Sequence, residues 1–311
     1  MDYNKEKNFV SAIVYCCNDS QRIGNFIRNL DSTLSANFLK YEIVVVNDAS
    51  TDNSIQIVAD HARSIDNGEK EHTITILNMS FCQGLEASMN AGLNLTIGDF
   101  VFEFDSVNDD YDWSVLMEVY HHALTGFDIV SAKSGQKSRM TSRFYYYLFN
   151  RYAHIQHAIG TESFRILSRR AINRIHSITQ SIPYRKAAYA NCGLAIDTIT
   201  YQPIQKIKKK EYNDSETVAL ESLLLFTDVP FRATMVLAVM MFILSLSVGL
   251  YALIYWFLRN PVEGWTTTIF FMSFGFSGLF IILSMVIRYM QTLVRLNFRK
   301  KDFLFESIEK I

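Results

Sequence analysis

Two stretches without a charged residue, Ala233 to Leu258 and Trp265 to Ile287, constrain this chain more than any other feature. Each exceeds the roughly 20 residues needed to cross a bilayer core as a helix. Buried helices of soluble proteins rarely run so far without a charge, so the pattern points to two membrane spans. Only Arg259 to Gly264 separates them, which predicts a tight helical hairpin. Arg232 precedes the first span, and Arg288, Arg295, Arg299, Lys300 and Lys301 follow the second; the connection holds Arg259 and Glu263. This excess of flanking cations predicts an integral membrane chain with both termini and the large N-terminal region in the cytoplasm. Met1 to Val10 is polar and charged and shows no signal-peptide pattern. The expected organisation is a cytosolic domain over 1–228, a hairpin over 229–288 and a basic amphipathic tail over 289–311. In that tail, Leu293, Leu296, Phe303, Leu304 and Ile308 lie among basic residues and predict a helix on the membrane surface.

Ahead of the hairpin, short β-prone runs alternate with helical periodicity. Phe9 to Cys17, the run Ile43 to Val46, Thr73 to Leu77 and Phe100 to Phe104 read as four strands. Helices fit between and around them. One carries Ile23, Phe26, Ile27 and Leu30, one runs from Asn53 to about Ile65, and one spans Phe81 to Leu95 with Gly84, Ala87, Ser88, Ala91 and Gly92 on it. The small residues let that last helix approach a sheet closely. This alternation predicts a doubly wound, mostly parallel sheet. Further on, helices are expected over 113–124, 138–157, 168–176 and 217–226, the last amphipathic, and strands over 127–132, 164–167 and 194–201. The net charge of −1 offers no basic field, which argues against nucleic acid as a partner. Cys16, Cys17, Cys82 and Cys192 lack metal-ligand spacing and read as reduced thiols.

Three loop acids recur at strand ends: Asp19, Asp48 and Asp105. Ligands of open α/β sheets bind beyond the carboxyl ends of the strands, so all three open onto one edge. Carboxylates there suit the ribose and base of a nucleotide, or a divalent cation that neutralises a diphosphate. Taken singly, each also reads as a solvated turn acid, and Ser50 or Asp52 after Asp48 reads as a helix cap.

Several segments occur in a familiar order. They are Asn18-Asp19, the run Val46-Asn47-Asp48-Ala49-Ser50-Thr51-Asp52, and Gly84-x-x-Ala87-Ser88-x-Asn90-x-Gly92 followed by Gly98-Asp99. Ser163-Phe164-Arg165-Ile166-Leu167-Ser168-Arg169-Arg170 comes next, and Pro230-Phe231-Arg232 leads into the hairpin. Together they resemble family 2 glycosyltransferases of the polyprenyl-phosphate type. That group contains dolichyl-phosphate mannose synthase and bacterial prenyl-phosphate glucosyltransferases. The resemblance implies a GT-A-like doubly wound sheet, amphipathic juxtamembrane helices and a two-helix transmembrane hairpin. It also implies transfer of a sugar from a nucleotide sugar to a polyprenyl phosphate, in a homo-oligomer. By the same resemblance Asn18, Asp19, Asp48, Gly84 and Asp105 bind the nucleotide, and Asp105 and Arg165 are catalytic. Mg²⁺ or Mn²⁺ is implied at Asp105 with Asp109. Arg139, Arg143, Lys210 and Ser215 are implied to meet the acceptor phosphate, although the lysine run 206–210 also reads as ordinary juxtamembrane charge.

Departures cluster at the same site. The second acid of the family's D-x-D motif is replaced by Val107, and its R-x-x-G-x-S-K segment reads Lys210-Glu211-Tyr212-Asn213-Asp214-Ser215-Glu216. The acid expected upstream of Ser163-Phe164-Arg165 is missing, with Glu162 the nearby carboxylate. The chain is therefore read as a membrane glycosyltransferase, with a non-catalytic relative acting as a partner or regulatory subunit as the alternative.

Overall fold

The computed structural model describes residues 5–65, 72–136, 140–152, 157–178, 184–204, 229–259, 264–297 and 304–310. Its first unit is one eight-stranded sheet covered on both faces. Strands β1 (Val10–Cys16) and β2 (Tyr41–Asn47) lie at its centre, and apart from Glu42 every residue in them is buried. Central parallel strands are covered on both sides, which is why they read as unbroken apolar runs. β1 pairs in parallel with β2 and with β4 (Phe100–Phe104), and β2 with β3 (His72–Met79). The order reverses between β1 and β4, which makes the crevice beyond their carboxyl ends the expected ligand site.

Helices α1 (Ile23–Asn37), α2 (Ser54–Ile65), α3 (Leu85–Leu95) and α4 (Ser114–Leu124) connect and flank these strands. One core gathers Phe26, Leu30, Phe104, Val107, Tyr111 and Tyr120; the other gathers Ile13, Val46, Leu77, Met89, Leu167 and Ile172. Beyond β4 the sheet is mixed. β6 (Phe164–Ser168) runs antiparallel between β4 and β5 (Ile129–Ser134), and β7 (Ile196–Tyr201) is parallel to β5. Helices α5 (Met140–Tyr152), α6 (Arg169–Ile178) and α7 (Arg185–Ala190) complete this half.

Two differences from expectation have local causes. The helix expected from Phe81 starts at Leu85, because Gly84 takes φ 83° and residues 80–84 form a loop tied to Asp48. The tail does not form a surface helix to its end: Phe305–Lys310 is a strand, β8, antiparallel to β3. An edge strand such as β3 offers a row of unpaired N–H and C=O groups, and satisfying them outweighs the weak helical periodicity of the tail. The expected helix 217–226 lies outside the described residues.

The second unit is a pair of packed helices, α8 (Val229–Arg259) and α9 (Trp265–Asn297). Met235–Leu258 and Thr267–Ile287 are long and apolar enough to cross a membrane, with mean hydropathy 2.4 and 2.2. Only 11% and 6% of these windows is buried, so they are not core helices of a soluble protein but match a membrane hairpin. Ser245 Oγ donates to Ser273 O across the pair, and a Cβ added at Gly249 would sit 3.6 Å from Ser273 Cβ. Small residues at such contacts let membrane helices approach closely.

Close approach also fixes α3 on the sheet. A Cβ at Gly92 would sit 2.6 Å from Val46 Cγ2 and 2.8 Å from Ile13 Cγ2. Gly92→Ala is expected to destabilise the α/β unit by about 1–3 kcal/mol through overpacking. A thermal melt of the full chain in detergent, read by tryptophan fluorescence, checks this.

Candidate active site

The loops after β1 and β2 interlock at the sheet edge. Asn18 adopts φ 53°, and its Oδ1 accepts from Thr51 N at 2.8 Å and Asp52 N at 3.3 Å. Its own N–H donates to Ser50 Oγ at 3.1 Å. Asp19 N donates to Ser54 Oγ at 2.8 Å, and Ser20 N to Asp52 Oδ2 at 3.0 Å. Backbone donors and Ser54 draw the Asp52 carboxyl down to about 2, overcoming a burial effect that would raise it. Arg22 spans to the third loop, donating to Asp19 Oδ1 at 3.2 Å and Asn108 Oδ1 at 2.5 Å. The loops holding Asp19 and Asp48, and the one after Asp105, are therefore joined, as their strand-end positions predicted.

Asp48 itself is fully buried. Its Oδ2 accepts from Tyr15 Oη at 2.8 Å and Gly84 N at 2.9 Å, and its Oδ1 accepts from Gln83 N at 2.7 Å. The carboxylate therefore organises the loop before α3, which brings the predicted residue Gly84 beside it. Cys17 and Cys82 also converge here, with their Sγ atoms and an Asp48 oxygen all within 4.8 Å of one another. Sequence spacing gave no sign of this. Burial and the charge of Asp48 push the Cys82 thiol up to about 11, so it stays protonated.

The other half of the site is a buried ion cluster around Asp105. Arg165 Nη2 donates to Asp105 Oδ2 at 2.7 Å, and Arg185 Nη2 to Asp105 Oδ1 at 2.6 Å. Arg165 also donates to Glu103 at 2.8 Å and Glu162 at 3.0 Å; Arg185 donates to Glu86 at 3.0 Å and lies 3.1 Å from Glu103. Tyr189 Oη completes the set by donating to Glu103 Oε1 at 2.7 Å. Both arginine side chains are only 1% exposed. Burial alone would raise Asp105, but the charges of Arg165, Arg185 and Lys186 outweigh it and hold the carboxyl well below the usual range.

Arg165 lies against Asp105, and Glu162 is a further partner. Arg185, Glu86 and Lys186 were missed. Glu103 was the available signal: a charge inside the buried strand Phe100–Phe104 needs a partner. Arg143 is exposed on α5. Arg139, Lys210 and Ser215 lie outside the described residues.

A divalent cation held by Asp105 and Asp109 does not fit these residues. Such a cation takes several oxygen ligands. Both Asp105 oxygens already receive a guanidinium, and Val107 is 1% exposed within the core. Asp109 is turned toward α1: burial raises its carboxyl, while Asn29 and Arg22 lower it. Among the described residues, the set of three thiol or acid groups close enough for one ion is Cys17, Asp48 and Cys82.

Comparison with known proteins fits this architecture. Residues 11–175 match the model for glycosyl transferase family 2. The chain belongs to that family. It is 23% identical to the bactoprenol glucosyl transferase of Shigella phage SfX over 82% of this chain and 85% of that one. It is 22% identical to an uncharacterized glycosyltransferase of Synechocystis sp. over 76% of each. Among solved structures, the mannosyltransferase PcManGT from Pyrobaculum calidifontis, in complex with GDP-Man and Mn²⁺, superposes with a TM-score of 0.51. That match has 16% identity and covers 92% of this chain and 84% of that one. It supports the GT-A fold of this family 2 member.

Two outcomes follow from the ion cluster. Arg185→Met leaves Asp105 and Glu103 short of a cation and is expected to cost about 3–5 kcal/mol, read as a lowered melting temperature. The second concerns pH. Asp105 is depressed in the folded chain, so its stabilisation is complete above its unfolded value near about 4 and is lost as pH falls below it. The gap in melting temperature between the natural chain and Asp105→Asn should therefore be widest at about pH 6 and narrow toward about pH 3.

Proposed function

We propose that this family 2 glycosyltransferase moves a sugar from a nucleotide sugar to a polyprenyl phosphate at a membrane surface. The observation that carries this reading is one chain joining a family 2 sheet to a pair of exposed, membrane-length apolar helices. A lipid phosphate stays at the interface, so its enzyme must be held there. The pairing of β8 with β3 supports an even number of crossings, because the chain returns to the sheet it left. Together with the flanking cations, this favours a cytoplasmic α/β unit. The bactoprenol glucosyl transferases of Shigella phages SfX and SfV, each 23% identical, support the acceptor class.

The electrostatics of Asp105 support it further. A hydroxyl acceptor needs a base that takes up a proton near neutral pH. Asp105, held ionised by two arginines, is a poor one. A phosphate is already ionised and attacks unaided. In the proposed displacement a phosphate oxygen forms the bond to the anomeric carbon as the nucleoside diphosphate leaves. The interlocked loops at Asn18, Asp19 and Asp48 hold the nucleoside end. Arg143 on α5 and Lys186, half-buried beside Asp105, supply positive charge toward the phosphates.

One observation favours a second reading. Asp105 is neutralised by arginines and Val107 replaces an acid, which would suit a relative that keeps the fold and serves as a partner subunit.

The test uses the detergent-purified full chain with polyprenyl phosphate and a panel of nucleotide sugars, in EDTA or in Mn²⁺. Lipid-linked sugar is expected in both, since two guanidinium groups already neutralise Asp105 and Val107 stands where the family pattern has its second acid. Asp105→Asn should lower turnover by about 100-fold or more. Product that depends wholly on Mn²⁺ would return a cation to the site. Nucleotide binding without product would select the partner-subunit reading.

A further inference from the structure

The strand that closes the sheet also reaches the candidate site. Leu304, just ahead of β8, engages the side chain of Gln83 in both directions. Gln83 Nε2 donates to Leu304 O at 2.5 Å, and Leu304 N donates to Gln83 Oε1 at 2.9 Å. The backbone N–H of the same glutamine donates to Asp48 Oδ1 at 2.7 Å, and Ser80 N donates to Leu304 O at 3.3 Å. A second path begins farther along β8. Asn78 Nδ2 donates to Ser307 Oγ at 3.0 Å and to Glu309 Oε1 at 3.1 Å. Asn78 Oδ1 accepts from Asn47 Nδ2 at 2.9 Å, and Asn47 Oδ1 accepts from Ser50 N at 2.9 Å.

Both loops at this edge, after β2 and after β3, are thus tied to the C-terminal strand through side-chain amides. A primary amide suits the task because it carries a donor and an acceptor in one plane. Neither Gln83 nor Asn78 needs to touch a ligand for this to matter. Loops ordered in advance bind more tightly than loops that must be ordered on binding.

We propose that residues 304–310 are a working part of the nucleotide site, and that Gln83 and Asn78 are positioning residues that hold its two loops in place. The inference rests on the glycosyltransferase reading for the identity of the ligand; the tie between strand and loops stands on its own. Loss of the tie should raise the KM for nucleotide sugar and leave kcat nearly unchanged.

The experiment compares the full chain, a chain lacking residues 304–311, and Gln83→Ala in the otherwise intact chain. Hydrogen exchange at the Gln83 and Gly84 amides is followed without ligand, and UDP and GDP affinities are measured by calorimetry. Faster exchange is expected in both altered chains, with a Kd raised about tenfold. A peptide spanning 304–311 should restore affinity to the shortened chain, but not to a shortened chain that also carries Gln83→Ala. Unchanged exchange on removing the strand overturns the proposal, and so does faster exchange with an unchanged Kd. If the intact chain binds neither UDP nor GDP, the glycosyltransferase reading and the nucleotide role fall together. The exchange result then decides the tie alone.

Discussion

The buried contact between Asp105 and two guanidinium groups is the constraint on which this site depends. It joins β4, β6 and α7 with charged groups in a place where unpaired charge is costly. Arg165 and Arg185 cannot be left without carboxylates, and Glu103, in the middle of a buried strand, cannot be left without cations. Each group is needed because the others are present. A site assembled this way has a fixed shape before any ligand arrives, which is the condition for electrostatic stabilisation of a developing charge.

The cluster also gives physical meaning to the altered metal motif. Where the family pattern carries a second acid, Val107 packs against aromatic residues of the core. The first acid keeps its position and takes protein cations as partners. The charge of Asp105 is thus met from within the chain, by arginines drawn from β6 and α7. Arginine suits this role because its planar fork binds carboxylates and it does not lose its proton.

Much of the fold was legible in the residues themselves. The run Ile43 to Val46 and the short apolar segments around it gave the parallel strands, and two uncharged stretches gave the paired helices. The acids at strand ends were legible because a parallel sheet puts those ends on one edge. What escaped was partnership across long separations. Arg185 meets Asp105 from 80 residues away, and Cys17 meets Cys82 across two intervening helices and two strands. Asp109 misled for the opposite reason: it is near Asp105 in sequence, but its loop turns it toward Asn29 on α1. The final strand was hidden by its composition, since Phe305, Ile308 and their charged neighbours fit a helix about as well as a sheet edge.

That final strand bears on how the chain comes to be folded. A ribosome delivers β3 more than two hundred residues before β8, and both apolar helices must emerge in between. The edge of β3 therefore waits, open, while the two apolar helices are made. Long-range pairings of this kind are slow to form and leave strand edges exposed on the way. Completion of the α/β unit is in this sense coupled to synthesis of the helical pair, because the sheet cannot gain its last strand until both helices have been made.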